Sequence, residues 1–326
     1  MLAPPNKRRN LKRHLQDPVL RHRLAYNHDN PAALRSVGTV HRGSQLLKGL
    51  QVMTIFGDVF FDSNGNLIID DNLVGTSGID RIIGRTGNDT IHAGGGNDGL
   101  IGNDGDDNLF GEGDNDTLNG GSGKDLLDGG SGIDTATYGG ELSVTVDLSN
   151  SFAIGASSGV DTLVSIENVN GSSNDDIITG NSGNNVLQGL AGKDVLRGGF
   201  GTDVLTGGQS TVKDLTISDT FKFNFASEST PGTAHDVITD FVHGVDKIDV
   251  HAMDAKAGAI NGEQDFTFIG SASFINAQGL ATPAQLRVEV VGDHTLVQGN
   301  IDFDSAPEFE VQLDGVTVIS ANDFVL

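Results

Sequence analysis

Residues 75–137 consist of seven nonapeptides in one phase: GTSGIDRII, GRTGNDTIH, AGGGNDGLI, GNDGDDNLF, GEGDNDTLN, GGSGKDLLD and GGSGIDTAT. The sixth position is always Asp: Asp80, Asp89, Asp98, Asp107, Asp116, Asp125 and Asp134. The eighth is always apolar: Ile82, Ile91, Leu100, Leu109, Leu118, Leu127 and Ala136. Position four is Gly78, Gly87, Gly96, Gly105, Gly123 and Gly132, with Asp114 as the exception. Seven acids falling in phase by chance is about a one-in-a-million event, so a Gly/Asp-rich linker is excluded and a repeat architecture is required.

A unit of this kind predicts a three-residue strand with one inward apolar side chain, followed by a six-residue turn. Gly at positions one, two and four permits positive φ and lets carbonyl oxygens converge. Each unit is half a coil, so units n and n+2 stack on the same side, with strands roughly 4.8 Å apart. Asp80 then lies over Asp98, Asp89 over Asp107, Asp98 over Asp116, Asp107 over Asp125 and Asp116 over Asp134. Two carboxylates ~5 Å apart repel by about 0.8 kcal/mol in water and ~3 kcal/mol at an effective dielectric of 20. Several such pairs together rival the ~5–15 kcal/mol net stability of a domain. The stack therefore calls for a hard, oxygen-seeking cation such as Ca2+, which turns the repulsion into coordination.

The composition agrees. Gly is 46 of 326 residues, aromatics are 6% and Trp is absent, so a core of large side chains is not available along much of the chain. With no Cys there is no disulfide, thiolate metal site or Cys nucleophile. Net charge is −24, which makes cations the expected partners and nucleic acid an unexpected one. The charge is segregated: residues 1–48 hold ten Lys/Arg and two acids, leaving ten bases and 42 acids elsewhere.

Residues 1–52 are basic, contain Pro4, Pro5, Pro18 and Pro31, and show no apolar period. They read as a disordered arm or as an extension outside the mature protein, with Met53 as an alternative start. They lack the apolar run of an N-terminal secretory signal, and no stretch of 18 apolar residues spans a membrane. Residues 53–74 read as strands capping the repeats, around Asn64–Gly65.

After a spacer at 138–170 that is expected to add strands, a second block at 171–208 runs GSSNDDIIT, GNSGNNVLQ, GLAGKDVLR and GGFGTDVLT. Its sixth positions are Asp176, Asn185, Asp194 and Asp203, and its position-four glycines are Gly183, Gly192 and Gly201. Asn185 can offer an amide oxygen but no charge, which predicts a weaker site. Residues 209–326 are no longer periodic, and DTFKFNFAS, QLRVEVV, HTLVQGNI and FEVQL read as antiparallel β.

The units resemble the repeat-in-toxin nonapeptide G-G-x-G-x-D-x-U-x, a calcium-binding parallel β-helix repeat. The resemblance implies an all-β fold: a parallel β-roll holding several Ca2+ between same-side turns, followed by an antiparallel β C-terminal domain. It implies that the position-six residues and the position-four glycines above are metal ligands. The run from DTFKFNFAS to DKIDV, with QDFTFIG, TLVQG and the ending ANDFVL, resembles the C-terminal domain of serralysin-type secreted proteases. That resemblance implies a C-terminal signal for a type I (ABC) exporter and an extracellular location. Similarity to the wider family covers about 72–326.

Catalytic signatures find no supporting context in the sequence. H-E-x-x-H does not occur; G-x-S-x-G occurs as Gly155-Ala-Ser157-Ser-Gly159, but inside the spacer expected to add strands rather than at a strand-to-helix elbow; and Lys124 and Lys193 precede Asp rather than the Ser or Thr of a phosphate loop. His92, His235, His243 and His251 read as surface residues. Asn300, Asp302, Asp304 and Glu308 fall at EF-hand-like positions, but Ser305 replaces the turn Gly and Val311 the final Glu; an acidic surface loop is the preferred reading. Asp62–Asn66 fails the same test at Leu67. The chain thus reads as non-catalytic. One function class is a secreted calcium-binding protein acting on host cells, membranes or matrix, similar in plan to the exported nodulation-signalling proteins of root-nodulating bacteria. The other is a calcium-dependent polysaccharide-binding module, or a remnant of a serralysin- or epimerase-type exoenzyme.

Overall fold

The computed structural model describes residues 53–56, 60–61, 67–68, 70–140, 142–208, 217–253, 265–276 and 278–326. The basic head and the Asp62–Asn66 segment lie outside them. The chain divides into two units. Met1–Val37 with Phe61–Asn66 is one, of which only Phe61 is described; Gly38–Phe60 with Leu67–Leu326 is the other and is the subject here.

Successive nonapeptides fall alternately on two sheets of 13 and 12 strands. On the first, Asp80–Thr86, Gly99–Asp104, Thr117–Ser122 and Thr135–Thr137 run parallel, with Ile82 opposite Leu100, Leu100 opposite Leu118 and Leu118 opposite Ala136. On the second, Asn72–Val74, Thr90–Gly95, Asn108–Gly113 and Leu126–Asp128 do the same, aligning Leu73, Ile91, Leu109 and Leu127. The partner is 18 residues away throughout, which is the n/n+2 stacking that the period predicts.

The position-eight side chains face each other inside and are fully buried from Ile82 to Ala136. Each buried Leu or Ile contributes ~1.5–3 kcal/mol. The core is therefore a narrow double column of single aliphatic side chains, which is how a chain so poor in aromatics still buries an interior.

The segment between the two blocks joins the same sheets. Asn168–Asn170 stacks on Thr135–Thr137 and keeps the column through Val169. On the other side Gly159–Val164 lies parallel on Leu126–Asp128, Phe152–Gly155 runs back antiparallel, and Val144–Asp147 turns forward to meet Ile177–Thr179. A reversed strand is thus spliced into an otherwise parallel stack.

Beyond residue 208 the roll continues before it ends. Thr220–Lys222, Asp236–Ile238 and Lys247–Asp249 stack in parallel on the second block and on each other. The segment DTFKFNFAS accordingly pairs in parallel, unlike the antiparallel pairing expected of it. The reason is its Asp219-Thr-Phe221 pattern, which repeats the Asp-x-apolar of a nonapeptide and sets Phe221 over Leu196. The antiparallel expectation holds for Gln285–Val291, His294–Asn300 and Phe309–Asp314. The last of these returns to the roll beside Asp236–Ile238, and Phe324–Val325 closes the second sheet against Lys247–Asp249. Larger side chains fill this end, with Phe223 and Phe309 edge-on at 5.1 Å.

Candidate metal sites along the aspartate ladder

The turns from residue 84 to 132 and from 189 to 201 are shaped by left-handed residues at positions two and four. In the unit 120–128 these are Gly121 at φ +101° and Gly123 at φ +132°. Arg85, Asn103, Glu112 and Leu190 adopt the same conformation at position two without being glycine. Position one is glycine, in every unit but that of Ala93, for a different reason. Its φ is ordinary, but a Cβ on Gly102 would lie 2.1 Å from Asp107 Oδ2 and 2.5 Å from the carbonyl oxygen of Gly120. The missing side chain leaves a cradle of oxygen atoms, one from the unit's own Asp and one from the coil above.

The aspartates stack as a ladder. The main-chain N–H of Asp80 donates to Asp98 Oδ1 at 2.7 Å, that of Asp89 to Asp107 at 2.7 Å and that of Asp98 to Asp116 at 2.8 Å. Asp107 donates to Asp125 at 2.8 Å and Asp116 to Asp134 at 2.7 Å. In the second block Asp176 donates to Asp194 at 2.8 Å and Asn185 to Asp203 at 2.7 Å. Every rung runs from the earlier coil to the later one. A second ladder runs the opposite way at position five, where Asp106 N–H donates to Asn88 Oδ1 and Lys124 N–H to Asp106 Oδ1, both at 2.9 Å.

One oxygen of each accepting carboxylate is thereby satisfied, while Asp80, the first rung, accepts the N–H and hydroxyl of Thr76 at Oδ2. Oδ2 of Asp89, Asp98, Asp107, Asp116, Asp125, Asp134, Asp194 and Asp203 is buried and accepts no hydrogen bond; for Asp80 the bare atom is Oδ1. Bare, buried carboxylate oxygens are costly unless they are paired or coordinate a metal. Burial pushes the carboxyls of Asp89, Asp98 and Asp125 up to about 6 and those of Asp107, Asp116, Asp194 and Asp203 up to about 7. The N–H of the rung pulls the other way, and repulsion adds to the rise, as from Asp125 and Asp89 on Asp107. Anionic oxygens alternating with stacked carbonyls are the donor set of a hard divalent cation. The position-four carbonyls stack too: Gly87 O lies 1.9 Å from where a Cβ of Gly105 would be, and Gly105 O 2.0 Å from that of Gly123.

Two predicted positions differ. Asp176 accepts from Val144 N–H and from both the N–H and hydroxyl of Ser172. Asn185 Oδ1 accepts Asn181 N–H at 2.8 Å, and its Nδ2 donates to Glu167 O at 2.6 Å. Both side chains are committed to hydrogen bonds within the fold.

The ladder also contains rungs that the nonapeptide count did not include. Asp125 N–H donates to Asp161 Oδ1 at 3.1 Å, and Asp134 N–H to Glu167 Oε2 at 2.8 Å. Asp194 donates to Asp219 at 2.9 Å, Asp203 to Asp236 at 2.8 Å and Asp219 to Asp246 at 3.0 Å. A signal was available: Ala-Ser-Ser-Gly159-Val-Asp161-Thr-Leu163-Val keeps positions four, six and eight, and residues 219–221, 236–238 and 246–248 keep Asp-x-apolar. Glu167 carries no such signal.

Asp302, Asp304 and Glu308 do converge, with one oxygen from each within 4.8 Å of the others. Those side chains cap their own loop: Asp302 accepts Asp304 N–H, Asp304 accepts Ala306 N–H and Glu308 accepts Ile301 N–H. The surface reading of histidines fits His92, His243 and His251, which pair with Glu112, Asp323 and Asp249. It fails for His235, which is largely buried between Glu310 and Gln312 because the returning strand Phe309–Asp314 packs over it.

The model of the RTX calcium-binding nonapeptide repeat matches residues 69–100, 101–136 and 170–209. The chain carries RTX repeats. Such repeats bind Ca2+, and several of them imply several ions, so the chain is a calcium-binding β-roll protein. Among solved structures, the AlgE6R3 subunit of the Azotobacter vinelandii mannuronan C5-epimerase is similar at 27% identity, over 49% of this chain and 77% of that one, with TM-score 0.33. The AlgE6R2 subunit of the same epimerase gives 26%, 49%, 81% and 0.28. The extracellular lipase LipA of Serratia marcescens gives 18%, 84%, 42% and 0.24. No curated protein matches the sequence.

Proposed function

We propose that the chain is a secreted, non-catalytic protein whose RTX roll folds on calcium outside the cell and acts there on host cells, membranes or matrix. The observation that carries this reading is the row of buried carboxylate oxygens with nothing to accept. In this reading the ions are held by the free oxygens of Asp80, Asp89, Asp98, Asp107, Asp116, Asp125, Asp134, Asp194 and Asp203. Carbonyls of Gly78, Gly87, Gly96, Gly105, Gly123, Gly132, Gly183, Gly192 and Gly201 complete the shells. Asp176 and Asn185 bind more weakly, because a cation there must displace hydrogen bonds already made.

Extracellular calcium modules bind at ~10⁻⁴–10⁻³ M, far above cytosolic calcium. A roll with that affinity stays unfolded in the cytosol and folds after export, which suits a type I ABC exporter. The serralysin-like ending supports that route. It is folded here, with Asp323 accepting the N–H groups of Ser320 and Gly244 at 2.7 Å.

Circular dichroism of the full chain during calcium titration is the direct test. Strand signal should appear cooperatively with Ca2+ and vanish in EDTA, while Mg2+ should substitute poorly because it requires tighter octahedral geometry. Equal folding in EDTA would overturn the reading. Deleting roughly the last 50 residues should retain the chain inside the producing cell; continued export would reject the type I route. Leakage from liposomes or a calcium response in host cells is the expected activity, and capture on alginate beads without either would favour the polysaccharide-binding alternative.

A further inference from the structure

Five neighbouring strands of the first sheet contain no charged residue: Thr117–Ser122, Thr135–Thr137, Asn168–Asn170, Val186–Leu190 and Val204–Gly208. In a chain with 44 acids this is a neutral band. Its outward positions line up as Asn119, Thr137, Asn170, Gln188 and Thr206. Leu118 opposite Ala136 sets Asn119 beside Thr137, and Thr137 pairs with Asn170, Asn170 with Gln188 and Gln188 with Thr206. All five are half-buried. Thr206 Oγ1 bonds Thr239 Oγ1 at 2.7 Å, whereas the side chains of the other four make no hydrogen bond among the described residues.

The row runs through two hollows. Asn119 and Thr137 line one of about 230 Å³, and Gln188 and Thr206 line another of about 380 Å³. Between them stand Gly140 and Gly139, both exposed, where a Cβ would meet nothing within 4 Å, so the divide is bare backbone. The spliced strand accounts for the shape. From Thr117–Ser122 to Val186–Leu190 the first sheet takes three steps, while from Leu126–Asp128 to Val195–Arg197 the second takes five. The sheets are joined by single turns at both ends of this stretch, so the longer one lies outside a bend and the neutral face lies inside it.

We propose that this concave face binds a neutral, extended, β-linked polysaccharide. The reading of an extracellular protein acting on matrix supplies the location, and this inference names the ligand class. Amides and hydroxyls both donate and accept hydrogen bonds, as sugar hydroxyls do. The row advances by about 4.8 Å per strand, close to the advance of one sugar in an extended β-linked chain. A polyanion meets the net charge of −24 and Asp104 in the wall of the smaller hollow. A peptide added as a strand needs an open sheet edge, and these strands are central ones with neighbours on both sides.

The test is native affinity electrophoresis of the full chain, with calcium and with EDTA, through gels holding hydroxyethylcellulose, glucomannan or alginate. The two neutral polymers should retard the parent and alginate should not. Asn119→Ala and Gln188→Ala remove side chains that have no partner in the fold. Calcium-dependent circular dichroism should therefore be unchanged, while each variant weakens the retardation by about two- to tenfold. Ile177→Ala, at an exposed position of the second sheet, should leave it unaltered. Passage of the parent through both neutral polymers, retardation by alginate alone, or equal retardation of parent, Asn119→Ala and Gln188→Ala would overturn the inference. A chain that folds on calcium and is not retarded overturns this inference alone. A chain that keeps its strand signal and its retardation in EDTA overturns the calcium reading alone.

Discussion

The main-chain N–H of Asp89 donates to Oδ1 of Asp107 at 2.7 Å, while Oδ2 of Asp107 is buried and accepts nothing. One carboxylate therefore fixes the register of two coils with one atom and offers the other to a cation.

Coupling should follow the rungs. A double-mutant cycle on calcium-dependent folding should give at least ~1 kcal/mol between Asp89 and Asp107, which share a rung, and less than ~0.5 kcal/mol between Asp98 and Asp107, which lie on opposite sides. Asp107→Ala should raise the calcium midpoint and lower its steepness more than Asp80→Ala, because Asp107 stands between two coils. Equal coupling for the two pairs would contradict the stacking.

Without metal, acid should stabilise the roll. Burial raises Asp89, Asp98 and Asp125 to about 6, Asp107, Asp116, Asp194 and Asp203 to about 7, and Asp236 to about 8, all from 3.8. A carboxyl raised in the folded state binds more protons there than when unfolded. Its contribution is complete below about pH 4 and is lost as pH rises through about 6 to 8. Denaturant melts in EDTA should show falling stability across that window, and calcium should abolish the slope while releasing protons. A metal-free chain that gains stability from pH 5 to pH 8 would refute this.

Two glycines in one unit's reach should behave oppositely. Gly102→Ala pushes a methyl to 2.1 Å from Asp107 Oδ2 and should cost more than ~2 kcal/mol. Gly99→Ala, where a Cβ meets nothing within 4 Å, should change stability by no more than ~0.5 kcal/mol. Thermal melts at saturating calcium would check both; a tolerated Gly102→Ala would mean the cradle has no function.

Asn185→Asp should convert a hydrogen-bonded rung into a cation-dependent one. The substitution removes the Nδ2 donor to Glu167 O at 2.6 Å and sets a carboxylate against that carbonyl. Stability in EDTA should fall by ~1–3 kcal/mol, the cost of an unsatisfied buried group. With calcium the loss should be recovered and the folding transition should steepen. Unchanged behaviour in EDTA would show that the Asn185 contact carries no weight.

The fold was legible where the sequence repeats, because a period of nine leaves Leu100 one place to go, between Ile82 and Leu118. The ladder was legible for the same reason. What escaped was its continuation at Asp161, Asp219, Asp236 and Asp246: Asp161 and Asp246 keep a position-four glycine but stand in single units outside the blocks, and at Asp219 and Asp236 only Asp-x-apolar remains, a pattern too short to stand out among 44 acids. Glu167 was hidden more deeply, since its longer side chain reaches the Asp134 N–H from an irregular turn. The role of position-one glycine was also misread: its absent Cβ matters through the space left to a neighbouring coil, and sequence alone does not show what lies across that space.

Because every aspartate rung points from an earlier coil to a later one, each pair of nonapeptides is complete in itself: on each of its two sides it takes one N–H from the coil before and gives one to the coil after. Duplicating or excising 18 residues would leave both neighbours correctly served, whereas a change of nine would send every later strand to the wrong sheet. The splice at Asp125 and Asp161 spans 36 residues and keeps that step, whereas the irregular connections to Glu167 and Asp219 span 33 and 25 residues and reach the ladder by other routes. Length is quantised inside the glycine-rich blocks, where evolution or redesign is confined to steps of two units; freedom of length belongs to the irregular connections, whose rungs span 25, 27 and 33 residues.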